Sequence, residues 1–229
     1  MKMHTLGRTG ISVSRICLGT MTFGHQNTEA EGHQQMDMAA EHGVNFFDSA
    51  EMYPFPANPK TYGRTDEIVG TWLAARGQRD KIVVATKIAG PGARFEHIRG
   101  GSLKFDRTHL IQAVDDSLAR LRTDYIDLYQ THWPERPANY FGKLGYNHDA
   151  NAEWTPFEEM LDVMAEIEKA GKVRAFGISN ETPWGLMELM KLSESKGLPR
   201  MASIQNPYSL INRTFEVGLA EAAIRSVCG

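Results

Sequence analysis

Cysteine is scarce in this sequence, which has only Cys17 and Cys228 among its 229 residues. Two isolated thiols provide neither the paired spacing of a zinc site nor the closely spaced, even-numbered set of a disulfide-stapled secreted domain. The chain must therefore be stabilised by an ordinary hydrophobic core, and we expect a reducing, cytoplasmic setting.

Long apolar runs and an excess of charge of one sign are also missing. No stretch approaches the roughly 20 apolar residues of a membrane-spanning helix, and the opening Met-Lys-Met-His-Thr-Leu-Gly lacks the apolar centre of a signal peptide. The 25 Lys and Arg residues are balanced by 28 Asp and Glu residues, for a net charge of -3. We therefore expect neither a membrane nor a nucleic acid as a partner.

Two motifs of well-known enzyme classes are absent. No Gly-x-Gly-x-x-Gly turn follows the first predicted strand, which argues against a Rossmann domain. No His-x-His pair or other ligand cluster follows that strand, which argues against a metal-dependent hydrolase built on a barrel. We therefore predict no metal site.

What the sequence does contain is a regular alternation of strand and helix patterns. Short apolar runs predict six strands, at residues 15–19, 44–48, 82–86, 125–130, 173–178 and 202–204. Helical patterns follow each strand, with caps expected at Thr28, Asp106 and Thr155 and a last helix starting near Phe215. This alternation predicts a parallel sheet covered by helices.

The order of elements favours an α/β fold of the (β/α)8, or TIM-barrel, type. Its reactive side chains follow the strands, and catalytic residues of such barrels lie at the carboxyl ends of the strands. A doubly wound open sheet is the rival. A full barrel has eight strand-helix units in about 250 residues, and only six are recognisable here. We therefore expect residues 1–229 to form a single, incomplete barrel domain, truncated at its C-terminal side.

Four reactive residues mark the ends of successive strands. Asp48 ends the second strand and Tyr53 lies five positions later, whereas Lys87 and His132 follow the third and fourth. A tyrosine is a proton donor at neutral pH, a nearby ammonium favours its phenolate form, and a buried lysine needs a partner such as Asp48. With a histidine to bind a carbonyl oxygen, this set suits protonation of an alkoxide as a nicotinamide cofactor delivers hydride.

The next two strands end in amides and a hydroxyl. Ser179, Asn180 and Gln205 carry donors and acceptors that suit a carboxamide, although Ser179-Asn180 also fits a helix cap and Gln205 a buried amide in the core. The fourth strand leads into a long loop with five aromatic residues, beginning at Trp133. Long loops in compact domains are frequently functional, so this loop is predicted to border the substrate pocket.

These motifs resemble the aldo-keto reductase family, most closely its bacterial Tas-type, NADP(H)-dependent branch. The matching segments are Gly19-Thr-Met-Thr-Phe-Gly24, Phe47-Asp-Ser-Ala-Glu-Met-Tyr53, Thr86-Lys87, Asp124-Tyr-Ile-Asp-Leu-Tyr-Gln-Thr-His-Trp133, Lys172-Val-Arg-Ala-Phe-Gly-Ile-Ser-Asn180 and Gln205-Asn-Pro-Tyr-Ser-Leu210. The resemblance extends over nearly the whole chain, and the order and spacing of its four reactive residues are specific.

The resemblance implies an enzyme that reduces aldehydes or ketones with NADPH. In that reading Tyr53 is the general acid, Asp48 and Lys87 tune it, and His132 orients the carbonyl. The residues that match cofactor-binding positions are Thr20, Met21, Asp48, Ser179, Asn180 and Gln205. Those expected to contact the small-molecule substrate are Trp133, Tyr53 and His132, although Trp133 is also a typical core residue.

The resemblance also exposes a departure from the family pattern. Members continue with a seventh and an eighth strand, whose loops supply the ring that stacks on the nicotinamide and the basic groups that bind the phosphates. We expect those parts to be missing from this chain. The alternative reading is therefore a catalytically inactive truncated barrel, which serves as a pseudo-enzyme or as an interaction module related to the β subunits of potassium channels.

Overall fold

The fold alternates strands and helices after a short N-terminal hairpin. The computed structural model describes residues 1–229. The hairpin pairs β1 (Met3–Thr5) with β2 (Ser12–Ser14). Six parallel strands follow, namely β3 (Cys17–Gly19), β4 (Phe46–Asp48), β5 (Val83–Ile88), β6 (Leu128–Thr131), β7 (Phe176–Ser179) and β8 (Met201–Gln205). The helices are α1 (Glu29–Glu41), α2 (Arg64–Arg76), α3 (Arg107–Leu121), α4 (Phe157–Lys169), α5 (Pro183–Lys196) and α6 (Leu219–Ser226).

Strand order identifies the sheet as part of a barrel. Each strand from β4 to β8 pairs with the one before it in the chain, so the order of the six strands in space equals their order in sequence. A doubly wound sheet would instead reverse its strand order at a switch point. The six parallel strand-helix units therefore have the order of six consecutive units of a (β/α)8 barrel, and the predicted fold class is confirmed.

A single contact shows how strongly the sheet curls. Gln205 of β8 donates from Nε2 to Oδ2 of Asp48 on β4 over 3.1 Å. Four strand spacings separate β4 from β8, about 19 Å in a flat sheet at roughly 4.8 Å per strand. The sheet must therefore bend round its concave face, and this bend brings side chains of non-adjacent strands together.

The two faces of the sheet have different environments. The main core of 33 buried residues includes outward-facing Val84 and Tyr129 and residues of the surrounding helices. A second cluster of eight buried residues contains Val83, Ala85 and Leu128 on the concave face, with Leu6 and Ile11 of the hairpin region. Because strand side chains alternate between faces, Lys87 and Gln130 follow on that same concave face, beyond this apolar layer and toward the carboxyl ends.

Helix caps agree with the sequence prediction at two of three positions. Thr28 and Glu31 form the reciprocal capping box of α1, and Asp106 accepts from the backbone N–H of His109 at the start of α3. The predicted capping box at Thr155 is wrong. Its backbone N–H and its hydroxyl both donate to Oε1 of Glu135. This carboxylate from a distant loop satisfies Thr155, and α4 begins after Pro156 without a side-chain cap.

Element boundaries differ modestly from the predictions. Strands β3 to β7 start one to three residues later than their apolar runs; Ile126, for example, forms only an isolated bridge with Val173 before β6 begins. The last helix begins at Leu219 rather than near Phe215, because a 3-10 turn and Gly218 at φ +88° come first. None of the helices is long and apolar enough to cross a membrane.

Helix α2 packs against the end of α3 at a glycine. A Cβ at Gly70 would lie 2.3 Å from the carbonyl oxygen of Arg120 and 2.7 Å from the carbonyl carbon of Leu121. Gly70→Ala should therefore lower the free energy of unfolding by on the order of 1–3 kcal/mol, since backbone must move to relieve the overlap. Urea denaturation measures this change.

Gly19→Ala is the matched control, because a Cβ there meets no atom within 4 Å. Its unfolding free energy should stay within about 0.5 kcal/mol of the wild-type value. Equal stability of the Gly70 and Gly19 variants would contradict the close packing of α2 on α3.

Candidate active site

A buried ion pair lies at the carboxyl end of the sheet. Lys87 of β5 donates from Nζ to Oδ2 of Asp48 over 2.6 Å and to the backbone oxygen of Ser49 over 2.8 Å. The side chain of Lys87 is 1% exposed and that of Asp48 is 8% exposed. Neighbouring parallel strands thus place a cation and an anion side by side, as their positions at successive strand ends predict.

Tyr53 and His132 complete the group of four. The Tyr53 hydroxyl lies 3.4 Å from Nε2 of His132, and the two rings meet edge to face with centroids 5.4 Å apart. Nζ of Lys87 lies 5.4 Å from the centroid of the Tyr53 ring. The structure therefore brings all four predicted reactive side chains into one site.

Burial and charge act in opposite directions on the protons of this site. Burial raises the pKa of Tyr53 above its ordinary value, and the opposing effect of Lys87 does not cancel it. For Lys87, burial is the largest effect and favours the neutral amine, but the attractions of Asp48, Tyr53 and Cys17 together outweigh burial and raise the pKa. Lys87 is thus an ammonium and Tyr53 a protonated phenol at neutral pH. The predicted influence of Lys87 on Tyr53 has the expected sign but is smaller than the effect of burial.

His132 is held neutral by its surroundings. Burial, followed by repulsion from Lys87, lowers the pKa of His132 well below its ordinary value. Its Nδ1 is buried without a hydrogen-bond partner, whereas Nε2 faces Tyr53. Because a buried N–H without an acceptor is costly, the proton of the neutral ring belongs on Nε2. The ring therefore directs its one N–H toward the Tyr53 hydroxyl.

The polar ends of β7 and β8 lie next to these four residues. Asn180 donates from Nδ2 to the backbone oxygen of His132 over 2.8 Å and to Oγ of Ser179 over 3.1 Å. Ser179 donates in turn to the backbone oxygen of Gln205, whose own amide reaches Asp48. The residues predicted for a carboxamide and those predicted for proton transfer are thus in direct hydrogen-bond contact.

Thr20 and Met21 follow β3 at the same rim. The backbone N–H and the hydroxyl of Thr20 both donate to the backbone oxygen of Asp48, over 3.0 and 2.9 Å. Met21 is 43% exposed, and its backbone oxygen accepts from the N–H of Phe55. Thr20 therefore joins the ends of β3 and β4, while the neighbouring Met21 is exposed to solvent at this rim.

Trp133 forms the base of an aromatic cluster beside His132. Its indole is buried and donates from Nε1 to the backbone oxygen of Pro91. Its ring centroid lies 4.9 Å from that of His132, 5.2 Å from Phe95 and 5.9 Å from Phe141. Among the aromatic residues predicted to border the pocket, Phe141 and its neighbour Tyr140 therefore reach this cluster.

The remaining aromatics of the long loop lie in a different place. Tyr146 and Trp154 line a cleft of about 740 Å³ beside the start of α5, together with Trp184. Another cleft of about 650 Å³ runs along the concave face of the sheet and is lined by Asp48, Gln205 and apolar residues. The loop thus divides its aromatic side chains between the site around His132 and a separate surface.

Two supporting ion pairs were not recognised from the sequence. Glu51 is fully buried, forms an ion pair with Arg99 and accepts from the backbone N–H of Ala89. These contacts anchor the turn that carries Tyr53. Arg136 binds Glu181 through both carboxylate oxygens, next to Asn180. Nothing local in the sequence distinguishes these charges from surface charges, since their partners lie 45 or more positions away.

Gln130 was also missed, although the sequence carries a signal for it. It lies two positions before His132 on β6 and donates from Nε2 to Oδ1 of Asp48 over 3.1 Å. The period-2 alternation of a strand places it on the same face as Leu128, inside the sheet, where a polar side chain needs a partner. No group of three or more His, Cys, Asp or Glu side chains is arranged to hold a metal ion.

Comparisons with known proteins agree on one family. A profile of the "Aldo/keto reductase family" matches residues 15–225. Protein tas of Escherichia coli (strain K12) is 48% identical over 223 residues, which are 97% of this chain and 64% of that protein. The uncharacterized oxidoreductase YrpG of Bacillus subtilis (strain 168) is 36% identical, over 97% of this chain and 63% of its own length. The aldo-keto reductase YhdN of the same organism is 31% identical, over 94% of this chain and 56% of its own length.

The neutral, buried His132 predicts a pH dependence of stability. The unfolded chain binds a proton at this residue below about pH 6.5, whereas the folded protein does not until a much lower pH. Stability should therefore fall as the pH drops below about 6.5, with this residue contributing a slope of up to about 1.4 kcal/mol per pH unit. Urea denaturation between pH 7.5 and 5 should show a shallower slope for His132→Gln than for the wild type.

His25→Gln is the control for this measurement, because His25 is exposed. Its slope should equal that of the wild type. If His132→Gln and the wild type lose stability at the same rate on acidification, the prediction that His132 is neutral in the folded protein is wrong.

Proposed function

The chain belongs to the aldo/keto reductase family, and from this premise we propose that it reduces aldehydes or ketones to alcohols with NADPH. The observation that carries the proposal is the Lys87–Asp48 ion pair beside the contact of Tyr53 with His132. A proton donor, a cation that favours its conjugate base and a neutral N–H donor lie together at the carboxyl end of a parallel sheet. Catalytic residues of such sheets occupy this end.

Tyr53 is the general acid of the proposed reaction. Its raised pKa keeps the phenol protonated at neutral pH, so a proton is available for the oxygen of the carbonyl as it becomes an alkoxide. Lys87 lies close enough to stabilise the phenolate that remains. Asp48 keeps Lys87 charged, because a buried lysine without a partner loses its proton.

His132 binds and orients the carbonyl oxygen. Its Nε2–H points into the same space as the Tyr53 hydroxyl, so one oxygen atom can accept from both groups. Two donors aimed at the oxygen where negative charge develops stabilise the transition state. Trp133, which packs against His132, forms the adjacent wall for an apolar or aromatic substituent of the substrate.

The donors and acceptors at the ends of β7 and β8 suit the nicotinamide of the cofactor. Ser179, Asn180 and Gln205 would hold its carboxamide, and Thr20, Met21 and Asp48 would border its ribose. When bound, the cofactor supplies the hydride that no side chain can provide. The choice of NADPH over NADH rests on the resemblance to the NADP(H)-dependent branch of the family.

A non-catalytic role is the second candidate. The chain spans 64% of the length of protein tas, and β3 and β8 are the edge strands of its sheet. The edge of β8 is partly covered, because Gly229 exchanges backbone hydrogen bonds with Ala202 and Ile204. Uncovered edges pair readily with other chains. In that case the protein is an inactive member of the family that acts through protein contacts, as a pseudo-enzyme or as a module related to channel β subunits.

Cofactor binding separates the two candidates. A fluorescence titration with NADPH should saturate with a Kd on the order of 1–100 µM, the usual range for enzyme ligands. Gln205→Leu should raise that Kd about tenfold, equivalent to ~1.4 kcal/mol, because the carboxamide loses a partner. The surface variant Ser195→Ala should bind as the wild type does. A folded chain without saturable binding supports the non-catalytic role.

Replacement of Tyr53 by Phe tests the proposed acid. Carbonyl reduction, followed by NADPH absorbance, should fall by about 10²–10⁴-fold because the proton donor is lost. NADPH affinity and the circular dichroism spectrum should remain unchanged. Tyr125→Phe alters a tyrosine at the opposite end of the sheet and should keep full activity. Equal rates for Tyr53→Phe and the wild type would refute the assignment of Tyr53.

A further inference from the structure

Gln130 is a buried polar residue that the proposed reaction leaves without a role. It is 2% exposed and lies on the concave face of β6. In the register of the sheet it pairs with Lys87 on β5 and with Gly177 on β7. It therefore occupies the same layer of the barrel as the lysine of the ion pair.

The contacts of Asp48 divide its two carboxylate oxygens between different donors. Oδ2 accepts from Lys87 over 2.6 Å and from Gln205 over 3.1 Å. Oδ1 accepts from Nε2 of Gln130 over 3.1 Å, and no other donor contacts it. Gln130 is thus the one group that donates a hydrogen bond to Oδ1 of the buried Asp48 carboxylate.

The neighbouring strand leaves room for this amide. Gly177 stands opposite Gln130, and a Cβ there would lie 3.3 Å from Cγ of Gln130 and 2.4 Å from Oγ of Ser203. Any larger side chain at residue 177 would crowd the concave layer. The missing side chain at Gly177 therefore leaves the space that Gln130 occupies on the concave face, where its amide contacts Asp48.

Loss of this hydrogen bond would change the ion pair. A buried carboxylate with an unsatisfied oxygen is more basic and rotates more freely. It would take a larger share of the Lys87 proton and weaken the positive charge that faces Tyr53. Because that charge favours the phenolate, Tyr53 would hold its proton more tightly.

We propose that Gln130 is a positioning residue, which fixes the Asp48 carboxylate so that Lys87 stays charged and assists proton transfer by Tyr53. The part that concerns catalysis rests on the proposed function, whereas the effect on Tyr53 does not. The titratable groups that face the ion pair from the surrounding elements are Cys17 on β3, Tyr53 after β4 and His132 after β6. The ends of β7 and β8 present only Ser179, Asn180 and Gln205, which do not titrate.

The test measures Tyr53 directly, without cofactor or substrate. Protein labelled with 3-fluorotyrosine, whose phenol is more acidic than that of tyrosine, is titrated by ¹⁹F NMR, and the Tyr53 signal is identified by its absence in Tyr53→Phe. Gln130→Met removes the donor and keeps the volume. In Gln130→Met, the pH midpoint of the Tyr53 titration should lie about one pH unit above that of the wild type.

Two further variants make the result specific. Gln130→Asn keeps an amide but is one methylene too short to reach Asp48, so its midpoint should also rise. Tyr129→Phe alters the preceding residue, whose buried hydroxyl has no partner, and should leave the midpoint unchanged. Folded Gln130→Met and Gln130→Asn proteins with wild-type midpoints would overturn the proposal and reduce Gln130 to a packing residue.

Kinetics distinguish this proposal from the proposed function. If the wild type reduces carbonyls, Gln130→Met should lower kcat more than it raises the KM for NADPH, because it disturbs proton transfer by Tyr53 and leaves the remaining cofactor contacts in place. A raised midpoint in a chain that reduces no carbonyl would support the role of Gln130 and refute the reductase. Carbonyl reduction by the wild type, together with a wild-type Tyr53 midpoint in Gln130→Met, would support the reductase and refute the role of Gln130.

Discussion

The buried ion pair between Lys87 and Asp48 is the interaction on which the site depends. An isolated charge in the interior costs several kcal/mol, so neither side chain is tolerable there without the other. The pair forms because parallel pairing of β4 and β5 brings both carboxyl ends to the same rim. Once formed, it places a positive charge near Tyr53 and helps to keep His132 neutral. The proton chemistry of the site follows from this pair.

The curl of the sheet supplies the rest of the pair's environment. Side chains from β6 and β8 reach Asp48, although β8 is four strands away. The hairpin and the apolar residues of the concave face fill the opposite end of the sheet with Leu6, Val83 and Leu128. Polar groups are therefore confined to one end, where they satisfy one another, and the remaining core stays apolar. This separation allows a charged site and a stable core to share six short strands.

Loops add a second level of organisation around the site. The Glu51–Arg99 pair anchors the turn that leads to Tyr53, and the Arg136–Glu181 pair anchors the segment next to Asn180. Both are buried and link segments that are far apart in the chain. They position residues that need accurate placement but lie outside the regular strands. The aromatic cluster on Trp133 packs against His132 in the same region.

The sequence by itself determined the alternation of elements, the parallel barrel-type sheet and the position of Asp48, Tyr53, Lys87 and His132 at or just after strand ends, because apolar runs and the residues that follow them are local patterns. It also indicated that Ser179, Asn180 and Gln205 lie at the same rim. Only the tertiary structure decided that Gln130 and Gln205 both bind Asp48, that Glu135 rather than a capping box satisfies Thr155, and that burial outweighs Lys87 at Tyr53. Each of these outcomes depends on groups distant in the chain, or on depth below the surface, and neither quantity is encoded in a local pattern.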